Sequence, residues 1–145
     1  MNVPANNKYL YFRKATAAGQ ELDDTTGSNM YPVSAIRGIC AGTGNALGAI
    51  TDDVDAFTIY LSPKATFNGS ADADNNSGID DHPDILVVAI TTDSNQKAVI
   101  EALVNEINFG SNAMITLFDG GAGGAASSVH SDIEGITFTG ALLAD

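Results

Sequence analysis

This chain reads as an α+β protein: a mostly antiparallel sheet of about six strands, with one amphipathic helix from about 93 to 108 packed on it. Three observations predict this. An unbroken apolar run, Ile85-Leu-Val-Val-Ala-Ile90, leads into a helical stripe and then a second short apolar run, Met114-Ile-Thr-Leu-Phe118. Ala56-Phe-Thr-Ile-Tyr-Leu61 alternates Phe57, Ile59 and Leu61 against Thr58 and Tyr60, the period of a half-buried strand. The other apolar runs are short and are bounded by Gly, Pro, Asn and Asp, the residues of turns.

At 145 residues and 44% apolar, the chain is sized for one domain that buries its own core. Residues 1–7 are Asn-rich and aperiodic and read as a flexible arm; 8–145 form the domain. Lys8-Tyr-Leu-Tyr-Phe-Arg-Lys14 is the first strand, aromatic and carrying three of the six bases. Tyr31 to Ala41 is the second, with Pro32 at its start or on an edge because proline cannot donate to a ladder. Gly42-Thr-Gly-Asn-Ala-Leu-Gly48 is a turn that needs positive φ. Strand 56–61 ends at Pro63. Residues 64–83 form a long polar excursion, and a loop of that length is usually functional or mobile. The run 85–90 lacks alternation, so both its faces should be covered.

The helix has a start signal in Asp93, with Gln96 three residues on to complete a capping box. Val99, Ile100, Leu103, Val104 and Ile107 form its core stripe. Gly110 stops it. Strand 114–118 follows and then a Gly/Ala/Ser loop. The last strand, Gly135-Ile-Thr-Phe-Thr139, points Ile136 and Phe138 inward. The strands before and after the helix are joined either by a parallel crossover or by an antiparallel return; the pattern allows both.

Eighteen acids against six bases give a net charge of −12. That excludes a nucleic-acid backbone as partner, since phosphate contacts come from Lys and Arg, and an anionic membrane surface likewise. The N-terminus lacks the basic-then-apolar pattern of a signal peptide, so synthesis in a cytoplasm is expected. The one cysteine, Cys40, lies in an apolar run and reads as a small buried hydrophobe.

Chemistry-bearing motifs are sparse. The 42–48 glycine loop lacks the Gly-Lys-Ser/Thr of a phosphate loop. Asp72, Asp74, Asn76 and Asp80 repeat the oxygen-ligand spacing of a calcium loop. Pro83, however, stands where a bidentate Glu would close the site, so only a looser calcium site fits. His82-Pro-Asp84 and His130-Ser-Asp132 could meet at a transition metal if their strands are neighbours. Paired acids such as Asp80-Asp81 are the only handle for a hydrolase, and no Gly-x-Ser-x-Gly elbow occurs. No catalytic residue and no obligatory cofactor is expected.

The run Ile85 to Ile107, with Asp93-Ser-Asn-Gln-Lys-Ala-Val-Ile-Glu-Ala-Leu103 after an apolar strand, resembles small virion structural proteins of marine tailed phages, notably those of cyanobacteria. Arg37-Gly-Ile39, Phe57-Thr-Ile-Tyr-Leu61 and Val129-His-Ser-Asp-Ile133 fit the same resemblance. It implies a non-enzymatic capsid decoration or cement protein, a homo-oligomer on the capsid surface, with the major capsid protein or another virion protein as partner. The expected contact residues are Lys8, Tyr9, Tyr11, Arg13 and Lys14, on an aromatic edge strand. The alternative is a calcium- or glycan-binding module that uses the acidic 68–84 loop.

Overall fold

The computed structural model describes residues 3–13, 28–44, 50–62, 83–120 and 128–139. The α+β class and the antiparallel bias hold. Strands β1 (Tyr9–Arg13), β2 (Ser28–Pro32), β3 (Ile36–Ala41), β4 (Thr43–Gly44), β5 (Ile50–Thr51), β6 (Ala56–Leu61) and β7 (Asp84–Ile90) precede helix α1 (Gln96–Phe109). Strands β8 (Met114–Asp119) and β9 (Ile133–Thr139) follow it.

Among the described residues there are nine strands in three sheets, where six strands in one sheet were expected. The expected strand 31–41 is two strands. Pro32 ends β2, and a 3-10 turn over Val33–Ala35 carries the chain into β3, which belongs to a different sheet. The other two additional strands are the short ribbon β4–β5.

One sheet has the order β2-β1-β8, with β1 antiparallel to β2 and parallel to β8. The other, β3-β6-β7-β9, is antiparallel throughout. β1 is therefore the middle strand of its sheet and not the expected edge; β2, with its terminal proline, takes the edge. β7 and β8 lie in different sheets, so the α1 connection is neither a crossover nor a return within one sheet.

The sheets share a single core. Leu10, Phe12, Tyr31, Ile115 and Leu117 come from the three-stranded sheet; Phe57, Ile59, Leu86, Val88, Ile90, Ile133 and Ile136 come from the four-stranded one. Phe12 stacks on Tyr31 with ring centroids 6.0 Å apart, and both rings meet Phe138. α1 contributes Val99 and Leu103 fully, Ile100 and Ile107 in part, and leaves Val104 exposed. As the unbroken apolar run predicts, β7 buries Leu86, Val88 and Ile90 on one face and Ile85 on the other.

Strand β6 departs from simple alternation. Thr58 faces away from the core yet is fully buried, because β4 lies across it. Its Oγ1 donates to Gly42 O and accepts from Gly44 N, both at 2.8 Å. Both glycines are required there. Gly42 has φ +88, and a Cβ would stand 2.4 Å from Thr51 O. A Cβ on Gly44 would stand 2.1 Å from the Tyr60 hydroxyl.

The helix start also differs from expectation. α1 begins at Gln96, and Asn95, its N-cap residue, makes no capping side-chain bond. Ser94 sits at φ +63, which turns the chain just before the helix and places Asp93 too early to cap it. The side chains of this turn tie it to the rest of the protein. Asn95 Nδ2 donates to the Asp132 carboxylate, and Gln96 Nε2 donates to Asp53 O at 3.0 Å.

Candidate functional site

Leu10 and Phe12 of β1 face the core, so Tyr9, Tyr11 and Arg13 lie on the opposite face of the three-stranded sheet. The register places rows across that face: Pro32–Tyr9–Met114, then Met30–Tyr11–Thr116, then Ser28–Arg13–Asp119. Tyr9 is 43% exposed, and Met30 and Met114 are each 51% exposed. The third row is closed by an ion pair, Arg13 Nε to Asp119 Oδ1 at 2.7 Å, which is mostly buried. The result is an aromatic and thioether patch on a rigid sheet.

Of the five residues expected at an interface, Tyr9 is open, Tyr11 is half-buried, Arg13 is occupied by Asp119, and Lys14 lies outside the described residues. Lys8 is a correction. It is 0% exposed, and its Nζ donates to Glu106 O at 2.5 Å and Gly110 O at 2.8 Å. A helix end presents unpaired carbonyls and partial negative charge, which a cation satisfies. The last turn of α1 has no base of its own, so Lys8 is supplied from 98 residues away. Met30 and Met114 were not anticipated, because only the pairing of β2 and β8 with β1 brings them beside Tyr9.

The calcium-spaced Asp72, Asp74, Asn76 and Asp80, and the Asp80-Asp81 pair, lie outside the described residues. The two His-x-Asp units do not converge. Asp84 begins β7, and its carboxylate accepts a buried hydrogen bond from Tyr31 Oη. Asp132 lies beside the far end of the same strand, where Thr91 N donates to its carbonyl. Six residues of strand separate them by roughly 20 Å. His82 is outside the described residues, and His130 Nδ1 accepts from Asp132 N at 3.1 Å. Among the described residues no group of three or more His, Cys, Asp or Glu is placed to hold a metal ion. No helix among them is long and apolar enough to cross a membrane.

Four titratable groups are perturbed in ways that bear on chemistry. Burial, reinforced by the Asp84 carboxylate, pushes the Tyr31 phenol far up, so it stays protonated as a donor. Burial pushes up the Cys40 thiol against a weaker effect of Tyr60; the side chain is half-buried on β3, not fully buried as expected. Asp53 is held below the usual carboxylate range by hydrogen bonds from the Asp55 carboxyl and the Thr43 hydroxyl. Asp55 is raised, because its carboxyl hydrogen-bonds to Asp53 and lies in that anion's field.

A groove of about 230 Å³ adjoins the outer face of the three-stranded sheet where the C-terminal end of α1 meets the start of β8, sharing Met114 and Thr116 with it. Glu106, Asn112, Thr116 and Ser128 line it with polar groups, and Met114 and Val129 with apolar ones. Val129 N donates to Thr116 O at 2.9 Å and fixes one wall. No known protein family, curated protein or solved structure matches this chain.

Proposed function

We propose that this chain is a non-enzymatic structural subunit that works by assembling with copies of itself, and that it serves as a decoration or cement protein on a phage capsid. The observation that carries the assembly reading is the outer face of the three-stranded sheet, where Tyr9, Met30 and Met114 stand exposed in adjoining rows. Contiguous apolar surface marks interaction sites, and aromatic residues and methionine are enriched at interface centres. Charge favours a second copy there. The chain carries −12, yet the only carboxylate in these three rows, Asp119, is paired with Arg13. Two copies meeting through this face avoid the repulsion that acts over the rest of an acidic surface. The virion setting and a capsid-protein partner rest on the sequence resemblance and belong to the same proposal.

The test is the solution mass by light scattering across a dilution series, with and without chelator. The expected result is an oligomer that Met30→Glu and Tyr9→Glu each dissociate without changing the circular dichroism spectrum. A wild-type monomer at all concentrations up to the low millimolar range would refute the reading. Chelator-induced loss of fold would move the assignment to a calcium-dependent binding module.

A further inference from the structure

We propose that the outer edge of β9 is a second contact between copies of this chain: residues 135–139 of two copies pair antiparallel about a two-fold axis at Thr137, merging their four-stranded sheets into one. The contact lies on the other sheet from the Tyr9 and Met30 face, and it stands whether or not that face assembles.

The hydrogen-bond pattern leaves this edge open. Ile90 N donates to Asp55 O, on the β6 side of β7, and Thr91 N donates to Asp132 O, on the β9 side. Main-chain groups alternate sides along a strand. β7 therefore bonds β9 through Ile85, Val87 and Ala89, whose partners are Thr139, Thr137 and Gly135. The N–H and C=O of Ile136 and Phe138 point away from the sheet, and among the described residues no group bonds to them. Other edges are blunted. β2 ends in Pro32, Val129 N occupies Thr116 O on β8, and β3 has Arg37 at a bulge with only residues 38–41 beyond it. β9 has its bulge at Glu134, which leaves the longer uncharged run 135–139.

That run is self-complementary. With Thr137 on the axis, Ile136 of each copy faces Phe138 of the other, and each such pair exchanges both of its hydrogen bonds. These side chains lie on the core side, so a β-branched chain meets an aromatic ring twice across the seam, covering the part of Phe138 that one copy leaves open. On the outer side Thr137 meets Thr137, with Cα atoms about 4.5 Å apart. Thr139 comes opposite Gly135, where the space a Cβ would take has no neighbour within 4 Å.

Charge favours a second copy as the occupant. In a chain of −12 this run has no carboxylate to set against its twin. The two Glu134 side chains are offset by roughly 20 Å along the seam, well beyond the screening length.

The experiment is oxidative cross-linking of Thr137→Cys in the full chain, with Thr139→Cys and wild type (which reports Cys40 alone) as controls. Amide hydrogen exchange is followed by NMR at rising concentration in parallel. Thr137 and Thr139 are exposed, so both substitutions leave the core intact. Thr137→Cys is expected to form a disulfide-linked dimer, because the paired Cα atoms lie within disulfide range. Thr139→Cys, whose two copies stand about 13 Å apart, should not. Exchange at the Ile136 and Phe138 amides should slow with concentration, while Gly135 and Thr137 stay protected throughout by β7. Thr137→Glu should weaken the pairing about tenfold. Met30→Glu should lower the mass of the assembly yet leave the Thr137→Cys link in place. If Met30→Glu lowers the mass and no Thr137→Cys link forms, the sheet-face reading survives and this one falls. Equal linking of Thr137→Cys and Thr139→Cys, or concentration-independent exchange at Ile136 and Phe138, would overturn the proposal. So would joint protection of Ile39 and Ala41, which would replace the two-fold pair by head-to-tail joining of β3 and β9.

Discussion

Lys8 is the residue whose replacement tests the packing account most directly. Lys8→Met keeps most of the stem volume and removes the ammonium that closes the end of α1. Two hydrogen bonds to a charged group are lost, to Glu106 O and Gly110 O, each worth about 1.5–3 kcal/mol in context. Against that, the variant no longer buries a charge, which returns a substantial part of the gain. The expected net loss is about 2–3 kcal/mol. For a chain of this size that is a fall in Tm of roughly 5–10 °C. Urea unfolding followed by circular dichroism should show a lower midpoint at unchanged slope, since the exposed area on unfolding is nearly the same. The loss should persist at 1 M salt, where the screening length is about 3 Å and general charge effects fade. A variant within about 0.5 kcal/mol of wild type would refute the assignment of Lys8 as the cap. A loss that vanishes in high salt would attribute it to overall charge balance.

Three further outcomes are expected. Thr58→Val is nearly isosteric, so it opens no cavity but strands Gly42 O and Gly44 N beneath β4; unfolding should show a loss of about 2–3 kcal/mol, and an unchanged midpoint would contradict the strap geometry. Gly44→Ala drives a methyl into the Tyr60 hydroxyl and should cost about 1–3 kcal/mol; combined with Tyr60→Phe the loss should be less than the sum of the two singles, and strict additivity would refute the contact. In a carbon-detected NMR titration Asp53 should ionise below the usual aspartate value near 4 and Asp55 above it. The signs for stability follow. The lowered Asp53 favours the fold above its unfolded pKa and loses that contribution as pH falls through its folded one. The raised Asp55 favours the fold at low pH and loses that contribution as pH rises through its folded pKa, so Asp55→Asn should remove the second effect. Simultaneous titration of both at the ordinary value would overturn the coupling between the two carboxyls.

Local periodicity made most elements legible. The alternation of Phe57, Ile59 and Leu61 marks the inward face of β6, and all three are in the core, while the expected open face is covered as well, with Thr58 fully buried. The stripe of α1 placed Val99 and Leu103 correctly, because a helical repeat ties sequence spacing to a common face. Strand β7 was readable as covered on both sides for a similar reason. Turn chemistry was legible at Gly42, where positive φ is required.

What lay beyond reach was every contact between distant segments. Nothing in Tyr31-Pro-Val-Ser-Ala-Ile36 shows that the chain changes sheets there, since the same residues would also suit one bent strand. Asp93 and Gln96 have capping spacing, but the left-handed turn at Ser94 depends on its docking to Val54 O. Lys8 reads as a surface base because bases usually are; its burial follows from a helix end 98 residues away. The exposed patch needed three strands aligned before Met30, Tyr9 and Met114 became neighbours. The amino-acid sequence by itself thus determined the class, the helix and the inward faces, because those depend on spacings of a few residues. Sheet partition, the buried cation and the candidate assembly face were decided only by tertiary structure. They depend on which distant segments close against each other, and no local repeat encodes that choice.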